Sequence, residues 1–514
     1  MTDRDWSAMS EQDFDNTLKN SLPGPPPAEL AGAVNPWQTA WNRVLWGMAL
    51  TSITLNFWCL NYILPTAGIL LSLLGFRALR RENRWLGACF AITVFRVILN
   101  FPVLILDTTI WRNIYAASPV QSILTAGNVI LQLILFFCLW RGLRSVQEAA
   151  GLPPHARAAG GLLAWYIIMC LLAAVQYVGL IIPLAMLILY LLMLRSLCKL
   201  SNELKEAGYA IRAAAARVSD RVLVLFLLAI LAVGCVCGYA FGTRYPMDWQ
   251  PVAQEEHASV TDGKAHLLAL GFPEDVLDDL SEEDIAACAG AVEVVSETDD
   301  RPMNNGRQTI TTQYDGEGRE TRVMETVYDV NELRLTHVAV RLPGEPEQWR
   351  IFHHFLWTVE PNFRGTEAIQ FWPAYQNSDG WKAAGPVTGR VLCDRDGQTY
   401  FASYAYLGSQ TYTSDSIFWG EQTSTDLFAA FSLPGQGEQF RGYVAYSIAE
   451  MEPEHLITSW LNYTHQQFFR YPAMTAMEQQ RSGIRSSGGF FRTVQSALQF
   501  YPFTGEAAAE RALS

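Results

Sequence analysis

No aspartate or glutamate lies inside any of the long apolar runs of this 514-residue chain, which are 44–76, 85–95 with 97–106, 113–140, 158–194 and 222–243. A carrier driven by protons or sodium ions ordinarily needs a membrane-embedded acid, so that kind of transport is disfavoured. Catalytic signatures are lacking as well: HExxH, GxSxG, GxxxxGK and CxxC do not occur. The opening residues, MTDRDWSAMSEQDFD, have no apolar core, so no secretory signal peptide is expected there. Positive charge is scarce toward the carboxyl end, where residues 243–514 carry 19 basic and 38 acidic side chains. That sign opposes phosphate and argues against nucleic acid as a partner. No cofactor pattern and no metal-ligand set is read. His353 and His354, adjacent on an expected strand, point to opposite faces and cannot share an ion.

What is present starts with 222–243, VLVLFLLAILAVGCVCGYAFGT, which has no charge between Arg221 and Arg244. It is long enough to cross a hydrocarbon core of about 30 Å. The residues before it, 44–242, carry 15 basic and 6 acidic side chains. Runs 44–76 and 158–194 would reach about 50 and 55 Å as single helices, too long for one crossing. Each reads as a helical hairpin, turning near Leu60–Asn61 and near Val178–Gly179. The basic loops 77–84, 141–157 and 195–221 fall on one side only if 158–194 crosses twice. Charge leaves open whether 44–76 crosses once or twice. A gapless match of 64–79 with 182–197, which pairs Pro65 with Pro183 and Arg77 with Arg195, favours two.

The expected fold class is an α-helical polytopic membrane bundle of about seven transmembrane helices, followed by an extracytoplasmic β-rich domain, sandwich or barrel-like, with helical flanks. Residues 1–36 read as a mobile acidic, Pro-rich cytoplasmic arm. The bundle is 37–243, with spans near 38–60, 62–80, 85–106, 120–140, 160–177, 180–197 and 221–243. Residues 244–300 read as an acidic helical linker, with Ser281 and Asp284 as a capping box. Its acidic cluster, Asp275 to Asp284, reads as a solvated face. Period-two alternation marks 301–450 as an antiparallel β domain. Residues 451–514 read as a helical segment packing on that domain, with His465 one helical turn from Asn462. Seven cysteines sit in or beside apolar segments as packing residues; Cys288 and Cys393 could pair in an oxidising compartment.

Three places are candidates for function. Arg96 stands in the middle of an apolar span, where a charge costs several kcal/mol. It requires amide partners such as Asn100, Asn61, Asn128 or Gln132, or else a bound anion or lipid headgroup. Trp372, Tyr375 and Trp381 surround a polar loop, and either form a stacking platform on a sandwich rim or close its core. Gly234, Gly238 and Gly242 give the last helix a small-residue face, which packs on its own bundle or forms a homodimer seam. The reading that follows is a multi-pass protein of a bacterial plasma membrane, amino terminus cytoplasmic and carboxyl-terminal domain outside. Its partner is the lipid bilayer, and its role is sensing, ligand binding or envelope scaffolding without catalysis. The alternative is transport or lipid handling through the bundle, with Arg96 as an anion contact.

Overall fold

The computed structural model describes residues 36–52, 59–177, 179–209, 218–253, 257–314, 320–416, 420–453, 455–482 and 489–502. The expected arm, 1–36, lies almost wholly outside the described residues. The chain forms two compact units: one comprises residues up to Leu104 with Tyr115–Ala232, the other Ile105–Ile114 with Val233 onward.

The helices in chain order are α1 (Pro36–Ser52), α2 (Leu60–Leu79), α3 (Arg84–Leu106), α4 (Arg112–Ala116), α5 (Pro119–Ala149), α6 (Arg157–Ala174), α7 (Ile181–Glu206) and α8 (Asp220–Gly242). Among the described residues, six are long and apolar enough to cross a membrane: α2, α3, α5, α6, α7 and α8. The first expected span, 38–60, is described as helix only over Pro36–Ser52, with 53–58 outside the described residues. Run 158–194 does divide into two helices, α6 and α7.

Glycine explains how α1 and α2 come together. A side chain at Gly68 would meet the Gly47 carbonyl oxygen at 2.7 Å, and one at Gly75 would meet the Ala40 carbonyl oxygen at 2.7 Å. Low positions on α1 thus face high positions on α2, so the pair is antiparallel and in backbone contact. One end of the unit holds its main apolar core, with Trp37, Trp41, Leu79, Leu86, Leu143 and Leu197 buried together. At the same end, Arg43 and Arg77 reach Asp220 at 2.6 and 3.1 Å. Many other helix faces carry exposed Ile, Leu, Val and Phe, such as Ile123, Leu171, Ile181 and Leu225. In water these would be a liability; against lipid tails they are the normal surface of a bundle.

The second unit contains β1 (Gln250–Pro251), α9 (Ala258–Ala269), α10 (Glu274–Leu277), α11 (Glu282–Ala286), β2 (Glu293–Arg301), β3 (Arg307–Tyr314), β4 (Glu320–Val327), β5 (Leu333–Leu342), β6 (Gln348–Trp357) and β7 (Thr366–Trp372). It continues with α12 (Ala374–Asn377), β8 (Trp381–Ala383), β9 (Thr388–Arg395), β10 (Gln398–Ala402), β11 (Tyr406–Ser416), β12 (Gly420–Ser432), β13 (Glu438–Glu450), β14 (Ile457–Gln466), α13 (Ala476–Arg481) and β15 (Phe491–Phe500). One antiparallel sheet runs β1-β10-β9-β13-β6-β5-β2, with β8 also on β13. A second runs β11-β12-β7-β14-β15, and β3–β4 form a separate hairpin. The inner faces share one core, including Leu335, Ile351 and Phe355 from the first sheet and Phe371, Phe431 and Tyr463 from the second. Turn chemistry sets the β9–β10 hairpin, where Asp396 and Gly397 both have positive φ, 53° and 75°.

Two expected boundaries are corrected. Residues 244–300 are not a linker: α9, α10 and α11 bury Val260, Leu267, Val276 and Ile285 on the outer face of the first sheet, against Val338, Phe352 and Ala445. Their last part, Glu293–Arg301, is the edge strand β2. The segment 451–514 is not helical where described, apart from α13; it contributes β14 and β15. Beneath α13, Ala476 and Met477 cover Ala368, Phe428 and Phe491. Strands β5, β6 and β14 are therefore buried on both faces over much of their length, which blurs the alternation that marks a one-sided strand.

The face of Gly234, Gly238 and Gly242 is filled by its own chain. Side chains at those positions would run into Ile105, Thr108 and Thr109, and the Ile110 amide donates to the Gly242 carbonyl at 2.8 Å. Packing on its own chain is the first of the two alternatives for that face.

Candidate functional site

Arg96 lies twelve residues beyond the start of α3, about 18 Å along its axis. Its Nη1 donates to Gln132 Oε1 of α5 at 2.5 Å. Its Nε is buried and has no hydrogen-bond partner; the same holds for Asn100 Nδ2, one turn further on, and for Gln121 Oε1. These side chains line a cleft of about 250 Å³ together with Tyr115, Thr125 and Asn128. Of the amides expected around Arg96, Asn100, Gln132 and Asn128 are near; Asn61 does not line the cleft. Gln121 was not anticipated, because nothing in its spacing ties the start of α5 to the middle of α3.

A guanidinium donates and never accepts, and an amide nitrogen likewise only donates. Two such donors, buried without an acceptor, each carry a desolvation cost that a bound anion would remove. The cleft's spare hydrogen-bonding capacity is therefore mainly of one polarity.

The aromatic loop is built differently from a stacking platform. Trp381 is buried at 3 % exposure and belongs to the core between the sheets. Tyr375 packs edge-on against Tyr446 with ring centres 6.0 Å apart. Trp372 ends β7 and pairs with Trp460 across the ladder. The loop's Asn377 donates to the carbonyls of Trp372 and Thr458 at 3.1 and 3.0 Å, which makes it a turn residue. These rings close one end of the core, and the exposed trio is not formed.

Buried charge is abundant in the second unit, and most of it is paired. The supposed solvated acidic face contains two buried members, Asp279 and Asp284. Asp279 receives His354 Nε2 at 2.8 Å and Arg441 Nε at 2.7 Å. Asp284 pairs with Arg350, Tyr443 and Thr388, and its amide is capped by Ser281 Oγ at 3.2 Å. Burial pushes the carboxyl of Asp279 up, but His354 and Arg441 outweigh it and hold the group below its ordinary 3.8. The same contest at Asp284, burial against Tyr443 and Arg350, also ends below 3.8. These pairs fasten the α9–α11 layer onto the first sheet.

His353 and His354 do point to opposite faces. His354 meets Asp279 outside, while His353 Nδ1 lies 2.6 Å from His337 Nδ1 within the core. The chain of contacts runs on through His353 Nε2 to Ser459 Oγ at 2.7 Å, and through His337 Nε2 to Ser496 Oγ at 2.9 Å. A serine beside a histidine is the contact a nucleophile needs. Here both serines are buried, so the arrangement is a closed polar wire with no approach for a substrate. Burial drives His337 down to about 4 and His353 further still.

Cys288 and Cys393 are both free and buried, Cys288 in the core under α9–α11 and Cys393 in the core between the sheets. They do not pair. Comparison with known proteins adds nothing to this geometry: no protein-family model matches the chain, and no curated protein matches it by sequence.

Proposed function

We propose that this is a seven-span plasma-membrane protein that binds an anionic group, such as a lipid headgroup, within its bundle and displays its β-rich region outside the cell. The observation that carries the reading is the pair of unpartnered donors, Arg96 Nε and Asn100 Nδ2, in one polar cleft. It favours ligand or lipid handling by the bundle over recognition by the aromatic loop. The role is binding rather than chemistry. α1 is the seventh span, since its antiparallel contact with α2 is that of a hairpin.

Orientation rests on two groupings. Arg43, Arg77 and Asp220 meet at one end of the bundle, the end where the basic loops fall, which is cytoplasmic by the positive-inside rule. The 105–114 segment groups with residues after 233, as two stretches on the outer side would. A reporter cysteine at Ala150 should then label only after the membrane is permeabilised, whereas one at Ser378 should label in intact cells.

Anion binding is tested on full-length protein in nanodiscs by native mass spectrometry. Wild type should retain phosphatidylglycerol over phosphatidylcholine, and Arg96→Gln should lose about tenfold or more of that preference, the worth of one charge-assisted hydrogen bond. Equal preference in wild type and Arg96→Gln overturns the proposal.

A further inference from the structure

The sequence places His465 on a helix, one turn from Asn462. It lies instead on β14, where its Nδ1 is 2.7 Å from Oε1 of the fully buried Glu367. The carboxylate fixes the ring, and Nε2 has no hydrogen-bond partner among the described residues. His465 is 4 % exposed, and what remains open lines a cleft of about 430 Å³. That volume falls in the range of small-ligand pockets, on the order of 300–1,000 Å³. A second unpartnered polar atom lines it: Gln467 Oε1 is buried with no donor.

The chemistry of the wall narrows the ligand. Gln467 Oε1 can only accept, so the ligand must donate, which excludes a phosphate diester. His465 Nε2 accepts or donates according to the tautomer. The cleft's two carboxylates are already engaged: Glu332 accepts from the Met303 amide at 2.7 Å and from Asn304, and Glu360 pairs with Arg364 at 2.6 Å. Glu332 keeps its charge, since both of its donors are neutral, but its two oxygens are turned to the Met303 amide and Asn304, so an ammonium would compete with bonds already made. Hydroxyl groups, which donate and accept, fit both atoms. Trp357, Phe363 and Phe468 add apolar ring surface beside them, as the carbon face of a sugar requires.

Position narrows it further. Phe363 stacks edge-on against Phe469 at 4.8 Å, and Phe469 against Tyr239 at 5.2 Å. Tyr239 is three residues from the end of α8, about 4.5 Å along the helix, and its hydroxyl donates to the Arg470 carbonyl at 3.2 Å. Phe468 and Phe469 are both exposed. Aromatic rings at the end of a spanning helix sit at the headgroup level of a bilayer. We infer that this cleft is a binding site for a neutral sugar presented at the membrane surface, independent of the Arg96 site.

Full-length protein in phosphatidylcholine nanodiscs, with and without monoglucosyl diacylglycerol, gives the test. Lipid retention is read by native mass spectrometry, and binding of soluble maltose, lactose and chitobiose by calorimetry. Retention of the glycolipid alone identifies a lipid-borne sugar; binding of a soluble disaccharide as well identifies a free one. In either case Phe468→Ala and Gln467→Leu should each weaken binding about tenfold. Phe468 is exposed, so its variant should keep the wild-type melting temperature, which separates a lost contact from a lost fold. Absence of all binding, equal retention of phosphatidylcholine and glycolipid, or binding indifferent to both substitutions overturns the inference.

Discussion

The two units treat buried polarity in opposite ways. In the β-rich unit Asp279 and Asp284 have arginine partners, and Glu367 is hydrogen-bonded to His465. In the bundle, Arg96 has Gln132 as an amide acceptor and no carboxylate partner among the described residues. A charge buried with its partners serves the fold, because removing either member strands the other. A charge with no carboxylate partner beside a cleft is better placed to serve a ligand. Arg350 also leaves its Nε without a partner, so what separates the two arginines is the carboxylate: Arg350 is paired to Asp284 and attaches a layer, whereas Arg96 has an amide acceptor and lines a cleft.

The sharpest way to break this contrast is at Asp284. Asp284→Ala leaves Arg350 buried without its carboxylate, and should destabilise the β-rich unit by about 3–5 kcal/mol. Thermal unfolding of the full-length protein, followed by near-ultraviolet circular dichroism, checks it. A loss below about 1 kcal/mol would mean that the pairing is incidental.

Arg96→Leu should behave in the reverse manner. It removes a costly buried charge while stranding Gln132 Oε1, so the terms partly cancel, and thermal stability should change by less than about 2 kcal/mol. Anionic-lipid retention should fall all the same. Loss of folded protein on the scale of Asp284→Ala would erase the distinction between the two arginines.

Acid should act on the β-rich unit first. His337 has a folded-state value of about 4 against an ordinary 6.5, so the unfolded chain binds more protons between these limits. Stability from keeping it neutral is full above 6.5 and is lost as the pH falls toward about 4, by up to about 1.4 kcal/mol per pH unit. Below 3.8, Asp279 and Asp284 add a second loss as they take up protons. His353 is lowered further and adds a like slope over the same window, so His337→Gln should remove about half of the first slope and leave the second. A stability profile level from pH 7 to 4 would contradict the closed-wire geometry.

The smallest effect is expected at Asp220. It is 38 % exposed, and Arg43 beside it 35 %, so Asp220→Asn should cost the bundle about 0–1 kcal/mol.

Much of the architecture was legible because lipid imposes a simple rule: long apolar runs, broken by basic loops. The period-two strands from Leu333 to Glu450 were equally plain. Reading failed where a strand is covered on both sides, as at Ile457–Gln466, whose burial is nearly continuous toward its end. Asp279 and Asp284 misled for a related reason, since an acidic helix looks solvated until its arginine partners, distant in sequence, are placed. At the candidate sites, Arg96 announced itself by the cost of its position. Gln121 and the Glu367–His465 pair did not, because they depend on residues brought together across long sequence separations.

The segment Ile105–Ile114 belongs with the β-rich unit although it lies between two membrane helices in sequence. Its Asp107 carbonyl accepts from the Ala473 amide at 2.7 Å, and its Asn113 side chain donates to Glu478. The β-rich unit is thus discontinuous in sequence, and a fragment beginning just after Gly242 is an incomplete one. Secreted by itself, it would carry the vacated seat of that ten-residue graft as a raw surface beside Ala473 and Glu478. A faithful soluble version would need 105–114 restored, joined through a linker or supplied as a peptide.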